Sequence, residues 1–286
     1  MASPLQGSKV AFIGGGNMAA AIIGGLLARD IPKESIFVSE PWDVNRDKMK
    51  KLGVHTTASN VEATQDADIV ILAVKPQVAK EVCRELGSAW TQKSQTPLLI
   101  SIAAGITLDS LQQWLKLGDG RTPHTVRVMP NTPALVGEGA SGLFASPDVS
   151  EAERDLTTAL LGSVSKAVEW VDKEELLDVV TGLSGSGPAY FFALVEHLIT
   201  SATGLGLSTE QATRLAKQTC FGAGKMLVES SDDPAQLRKN VTSPNGTTDA
   251  ALKSFDASGF AEIVDKAVKA ATSRGEEMGR TLGASS

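Results

Sequence analysis

A glycine cluster set between an apolar run and a helical pattern constrains this chain more than any other feature. Val10-Ala11-Phe12-Ile13 is short and fully apolar and reads as a buried strand. Gly14-Gly15-Gly16-Asn17-Met18-Ala19 follows at once, and Met18 to Leu27 is apolar nearly all round and rich in Ala, which reads as a buried helix. The six residues fit Gly-x-Gly-x-x-Ala. In a strand–turn–helix unit the first glycine allows the tight turn and the second lets the backbone approach a pyrophosphate. The alanine permits close helix–strand packing, and the helix N-terminus favours negative charge. A glycine-rich turn without a ligand is the alternative, but the strand before it and the helix after it point to a dinucleotide.

The alternation continues through the first half. Ile36-Phe37-Val38, Ile69 to Val74, Leu98 to Ile102, Val126 to Met129 and Ala167 to Val171 read as strands. Val44–Leu52, Val78–Leu86, Leu108–Leu115 and a segment opened by Ser150-Glu151-Ala152-Glu153, a capping-box pattern, read as helices. Short apolar runs separated by helices imply a parallel sheet covered on both faces. After Val171 the strands stop. Glu174–Leu183, Ala189–Leu205, Ser208–Glu229, Pro234–Val241, Asp249–Ser258 and Glu262–Arg280 read as helices, with start signals at Ser208-Thr209-Glu210-Gln211 and Asp232-Asp233-Pro234. The expected fold class is therefore α/β: a Rossmann-type N-terminal domain with a mostly parallel sheet over residues 1–171, then an all-α domain over 172–286. A length of 286 residues accommodates two domains of about 100–200 residues each. Ala189, Phe192, Ala193, Val195, Leu198 and Ala202 are too many small and apolar residues for one amphipathic stripe. Such a helix is expected to pack against a second copy of the chain, with a self-contained bundle as the alternative.

Composition excludes several chemistries. The chain has one Tyr (Tyr190), three His (His55, His124, His197) and two Cys (Cys83, Cys220). No Cys or His pair has zinc-finger spacing and no His-Glu-x-x-His occurs, so no metal site is expected. Two distant cysteines suit a reducing compartment. A net charge of −6 argues against nucleic acid as the main ligand, and no apolar run approaches a membrane span of about 18 residues or more. Residues 1–8 hold no Lys or Arg, so neither a signal peptide nor an Arg-rich presequence is legible, and a cytoplasmic location is expected. With so few acid–base side chains, any reaction is expected to rely on a cofactor.

In open α/β sheets ligands bind at the carboxyl ends of the strands. That rule places Ala73-Val74-Lys75-Pro76, Ser101 to Ala104 and Met129-Pro130-Asn131-Thr132-Pro133 along the cleft. A stiff Pro-Asn-Thr-Pro loop can fix a nicotinamide edge; for each segment plain turn chemistry is the alternative. Ser39-Glu40 ends the second strand, 24 residues after Gly16. A carboxylate there accepts from the adenosine ribose hydroxyls and repels a 2′-phosphate, a lean towards NAD. Arg46, Lys48, Lys50 and Lys51 soften that repulsion unless they form a solvated helix face. The expected cofactor-binding set is Gly14, Gly16, Asn17, Met18, Ala19, Ser39, Glu40, Asn60, Ala73, Val74, Lys75, Pro76, Ala103, Ala104 and Asn131.

Two segments of the helical half are odd for helices: Gly182-Leu183-Ser184-Gly185-Ser186-Gly187-Pro188-Ala189-Tyr190 and Val241-Thr242-Ser243-Pro244-Asn245-Gly246-Thr247-Thr248. Together with Phe12 to Ala19, Ala73 to Pro76 and Met129 to Pro133, they resemble segments of the pyrroline-5-carboxylate reductases, in order from about residue 9 to about 275. Within that family the likeness is to its cytosolic vertebrate branch. The resemblance implies reduction of L-1-pyrroline-5-carboxylate to L-proline by NADH or NADPH, the last step of proline biosynthesis. It implies a homodimer interlocked through the helical domain, assembled further into a decamer. Ser243, Gly246, Thr247 and Thr248 match the family's substrate loop, which cradles the carboxylate; Glu174 and Asn240 match positions lining the same pocket. The loop departs from the commonest pattern at Asn245, where Gly is usual; Asn also tolerates positive φ. At Glu40 many relatives carry a small polar residue.

Read physically, the loop is an anion site: backbone N–H groups and hydroxyls at a helix start bind a carboxylate without a formal positive charge. The alternative is an N-cap at Thr247 or Thr248, and both roles are compatible. A protonated cyclic imine accepts hydride readily, so the enzyme mainly has to align it, about 3–3.5 Å from the donor carbon. Thr248 is the candidate for the imine nitrogen. The tyrosine–lysine mechanism of short-chain dehydrogenases is excluded, because position 194 is Leu and no second Tyr exists. His197 reads as a packed core histidine, Cys83 and Cys220 as structural. Ser184 to Pro188 reads as a helix interruption that allows close packing. Two alternatives stay open. One is another imine or β-hydroxyacid reductase using a helical lysine, Lys217 or Lys225, as acid. The other is a dinucleotide sensor without turnover.

Overall fold

The computed structural model describes residues 4–284, with strands β1 (Val10–Ile13), β2 (Ile36–Ser39), β3 (His55–Thr57), β4 (Ile69–Leu72), β5 (Leu98–Ser101), β6 (Thr125–Met129), β7 (Gly139–Ala145) and β8 (Ser165–Trp170). Between and after them lie α1 (Asn17–Leu27), α2 (Asp43–Lys51), α3 (Asn60–Ala63), α4 (Pro76–Trp90), α5 (Leu108–Trp114), α6 (Glu151–Leu161), α7 (Leu176–Val180), α8 (Gly187–Gly204), α9 (Thr209–Glu229), α10 (Pro234–Asn240), α11 (Thr247–Ala257) and α12 (Phe260–Ala284). The strands form one sheet in the order β3-β2-β1-β4-β5-β6-β7-β8. β1 to β6 are parallel in the doubly wound order, with the switch point between β1 and β4. β7 runs antiparallel to β6 and parallel to β8. The sheet is thus a Rossmann-type, mostly parallel one.

β1 shows why these sequences become central strands. Val10 and Phe12 enter one apolar layer with Ile22, Ile23 and Leu26 of α1; Ala11 and Ile13 enter the other with Cys83 and Leu86 of α4 and Leu111 of α5. Both faces are covered, so a continuous apolar run rather than an alternating one is required. β3 and β7 escape that signature. His55-Thr56-Thr57 is a short edge strand without an aliphatic residue, and β7 carries two glycines and no β-branched residue. β7 forms because β6 and β8 pair with it, and Gly142 is needed there: a Cβ would lie 2.7 Å from Val180 Cγ1.

Helix starts follow the local chemistry. Ser150 and Ser208 form reciprocal capping boxes with Glu153 and Gln211, and Asp233 caps α10 ahead of Pro234. Glu174 to Leu183 is not one helix: α7 passes at Thr181–Gly185 into a π-helical turn before α8 starts at Gly187. Close packing accompanies that interruption, since a Cβ on Gly185 would stand 2.5 Å from Met129 Cε.

By compactness the chain forms two units, one of residues 4–185 with 270–284 and one of 186–269. The strand-to-helix change after β8, expected at residue 171, therefore precedes the change of unit. α7 packs on β6 and β7, and the last turns of α12 return to the first unit. There Gly105, at φ +74, lets Met278 and Leu282 approach within 3.1 and 3.3 Å of where its Cβ would be. Among the described residues no helix is long and apolar enough to cross a membrane.

Candidate functional site

The glycine loop leaves β1 at the switch point. Gly14 has φ +101, and a Cβ on it would lie 2.6 Å from the Ala73 carbonyl oxygen, so only glycine fits between the ends of β1 and β4. Its N–H donates to the Ser39 carbonyl (2.8 Å). Gly16 is the N-cap of α1, exposed, with nothing within 4 Å of a Cβ position. No side chain caps α1, and its first turn holds no acidic residue. The N–H groups of this first turn are therefore open to an anion, and the space over Gly16 suits a phosphate. The residues present fit a dinucleotide pyrophosphate.

Ser39, Glu40 and Ala73 touch the loop directly, and the other expected cofactor residues lie at strand ends and helix starts of the first unit. The Ser39 hydroxyl donates to Asn60 Oδ1 (2.7 Å), and Asn60 Nδ2 donates to Glu85 Oε2 (2.7 Å). Ala73 and Val74 follow β4, and Lys75 is the exposed N-cap of α4 with Pro76 in its first turn. Ala103 and Ala104 follow β5 and line a small cavity with Arg127, Asp178 and Met278. Asn131 is 8 % exposed and acts as a staple: Nδ2 donates to the Ser184 carbonyl (3.1 Å) and Oδ1 accepts from Ala140 N–H (2.9 Å). Glu40 is turned inward. It is 5 % exposed; Oε2 accepts from Gly15 N–H (2.8 Å) and Oε1 from Trp42 N–H (3.0 Å).

Arg127 is a site-facing residue that the sequence reading passed over. Its side chain is 11 % exposed and pairs with Glu174, whose Oε1 also accepts from Leu108 N–H at the start of α5 (2.6 Å). A guanidinium in a strand flanked by Val126 and Val128 was the available signal, because a buried cation needs a carboxylate. Glu174, expected on resemblance at the substrate pocket, thus belongs to the first unit and to this ion pair.

In the second unit Asn245 takes φ +59, the left-handed turn expected of it. Asp249 holds that turn by accepting from Asn245 N–H (3.1 Å) and Lys253 Nζ (2.8 Å). The hydrogen bond from Lys253, with that from the backbone, holds the Asp249 carboxyl below its usual range despite some desolvation. Neither threonine is the N-cap of α11. Gly246 is, without a side-chain cap bond, so Thr247 and Thr248 are the first helical residues. A glycine at that position leaves the helix start without a competing side-chain oxygen, which keeps its N–H groups available. Asn240 closes α10, accepting from Gln236 Nε2 (2.7 Å) and donating to Asp232 Oδ2 (3.1 Å).

Other candidates separate clearly. His197, read as packed in a core, is exposed on α8 when the chain is taken by itself. Cys83 is fully buried and desolvation pushes its thiol up to about 12, which makes it inert. Lys225 is paired with Glu229 on α9.

A family profile described as "Pyrroline-5-carboxylate reductase dimerisation" matches residues 174–278, and one described as "NADP oxidoreductase coenzyme F420-dependent" matches residues 9–105. A pyrroline-5-carboxylate reductase of Pseudomonas aeruginosa is 47 % identical over 276 residues, 96 % of this chain and 98 % of the relative. The solved structure of a pyrroline-5-carboxylate reductase from Coxiella burnetii superposes with a TM-score of 0.88 at 40 % identity, covering 95 % of this chain and 98 % of that one. A Plasmodium falciparum pyrroline carboxylate reductase solved with NADP bound gives 0.81 at 31 % identity, covering 96 % and 99 %.

Proposed function

The chain belongs to the pyrroline-5-carboxylate reductase family, and from that premise we propose how its own residues carry the reaction. It is an oxidoreductase acting on a CH–NH group, reducing L-1-pyrroline-5-carboxylate to L-proline with NAD(P)H in the last step of proline biosynthesis. It self-associates through its helical region, and its substrate is a small molecule.

The observation that carries the assignment of roles is the uncapped start of α11. Gly246 as N-cap, with Thr247 and Thr248 in the first turn, offers backbone N–H groups and two hydroxyls to one carboxylate. Ser243 belongs to the same turn, accepting from Gly246 N–H through its carbonyl (2.9 Å). Lys253 pairs with Asp249, so the carboxylate that holds the loop is neutralised beside the substrate. The dinucleotide is held at Gly14, Gly16 and the first turn of α1 (Asn17, Met18, Ala19), with Ser39, Asn60, Ala73 to Pro76, Ala103 and Ala104 along the strand ends. Asn131 and Glu174 act behind that cleft, as the staple to Ser184 and the partner of Arg127. Asn240, at the end of α10 and held by Gln236 and Asp232, lines the substrate pocket in this reading. The bound nicotinamide supplies the hydride. The Thr248 hydroxyl orients the imine nitrogen, and no strong general acid is needed because the protonated imine is already electrophilic. Further assembly of dimers into a decamer and a cytoplasmic location complete the reading.

The test is oxidation of NADH and of NADPH by pyrroline-5-carboxylate; no consumption of either cofactor overturns the function. Thr248→Ala is expected to lower kcat about tenfold or more, the scale of one lost positioning contact, while dinucleotide affinity stays at the parent value. Unchanged steady-state kinetics would remove Thr248 from the mechanism.

A further inference from the structure

We propose that Glu40 is a positioning residue that braces the pyrophosphate loop, and that its charge does not select between NADH and NADPH. This rests on the dinucleotide reading above. An acid at the end of the second strand of a glycine-loop fold is ordinarily assigned to the adenosine ribose, where it disfavours a 2′-phosphate. In this chain every polar atom of Glu40 has a partner inside the protein. Its N–H donates to the Thr57 carbonyl (3.0 Å), and its carbonyl accepts from Arg46 Nη1 (2.7 Å). The two carboxylate oxygens accept from Gly15 N–H (2.8 Å) and Trp42 N–H (3.0 Å). At 5 % exposure the side chain lies over Gly15 and is nearly closed to solvent.

Gly15 is built to receive it. A Cβ at Gly15 would stand 3.2 Å from Glu40 Cβ and 3.2 Å from Met49 Cγ, so the middle glycine of the cluster is the surface on which the glutamate rests. Gly15 is itself buried, and without Glu40 its N–H loses its acceptor. The carboxylate thus fixes the residue between the tight turn at Gly14 and the open N-cap at Gly16. A loop fixed beforehand binds pyrophosphate with less ordering, and that benefit is the same for both dinucleotides. A reader of the 2′-position would affect them in opposite directions.

The test is equilibrium binding of NADH and NADPH, followed by nicotinamide fluorescence, to the parent enzyme, Glu40→Gln and Glu40→Asp. Hydrogen exchange at the Gly15 amide is measured alongside. Glu40→Asp keeps the charge but falls one methylene short of Gly15. Both variants are expected to weaken both dinucleotides on the order of tenfold, the effect of one charge-assisted hydrogen bond. The ratio of the two dissociation constants should move less than about fivefold, and the Gly15 amide should exchange at least about tenfold faster. A ratio shifted about fivefold or more, affinities that hold or rise, or a Gly15 amide exchanging at the parent rate overturns the proposal. The parent enzyme alone is a second check: without dinucleotide its Gly15 amide must be protected, and free exchange there overturns the brace even if a variant fails to fold. Binding is measured without the imine, so an enzyme that binds both cofactors but reduces no pyrroline-5-carboxylate would sink the function and leave the brace standing.

Discussion

Asp178 illustrates what a single residue shows only in three dimensions. It sits in α7 against α12, where a Cβ on Gly275 would come within 3.0 Å of its Oδ1. Desolvation pushes its carboxyl up; Arg127 pulls it back, and Glu276, Glu174 and Glu175 push it further up. A folded value above the unfolded value, about 3.9, means the stabilising contribution is fully present below that pH. It is lost as pH rises through the folded value. Asp178→Asn is therefore expected to raise the melting temperature at neutral pH, with the gain vanishing below about pH 4. Thermal melts of parent and variant across that range check it; a gain that grows on acidification would reverse the sign. Nothing in the helical pattern around Asp178 announces this, because Arg127 and Gly275 are distant in sequence. Asn245 is the opposite case. The family's usual glycine there, replaced by a residue that tolerates positive φ, pointed to a left-handed turn, and φ +59 is what the loop adopts.

At the scale of elements, the ion pair between Arg127 and Glu174 ties β6 to the segment before α7, and Glu174 extends the tie to α5 through Leu108 N–H. Removing one partner strands a charge that is 11 % or 25 % exposed. Arg127→Met alone is expected to cost about 3 kcal/mol, and Glu174→Gln alone a similar amount, whereas the double variant should cost much less than the sum. A double-mutant cycle by chemical denaturation checks it; additive losses would show that the pair is not coupled. The elements themselves were legible wherever a continuous apolar run or a cap announced them, as at β1, β4, β5 and the two capping boxes. β3 and β7 were not, since neither carries an aliphatic, β-branched run and both exist through their neighbours.

For the whole molecule, the helical unit exposes what a lone chain cannot keep in water. Phe191, Phe192 and Leu198 on α8 and Phe221 and Val228 on α9 are 45–82 % exposed. A trough between the two helices is lined by Phe192, Val195, Ile199 and Phe221. These residues lie within the span matched by the dimerisation family. Phe192→Glu with Phe221→Glu is expected to dissociate the oligomer, read by light scattering as a smaller species, because two buried unpaired carboxylates oppose association. An unchanged mass would place the self-association surface elsewhere.

The division between sequence and tertiary structure follows from the range of the interactions. Strand–glycine–helix punctuation and the capping boxes at Ser150 and Ser208 depend on residues within a few positions of one another, and the sequence by itself determined them. The scarcity of acid–base side chains belongs here too, since it already pointed to a reaction that relies on a cofactor. Tertiary structure decided where distant partners meet. It set the Glu40 carboxylate against Gly15 N–H, made Asn131 a staple to Ser184, gave Arg127 its carboxylate, and returned the end of α12 to the first unit. Each of these contacts satisfies a buried polar group or covers an apolar surface, and neither requirement exists until the chain has folded.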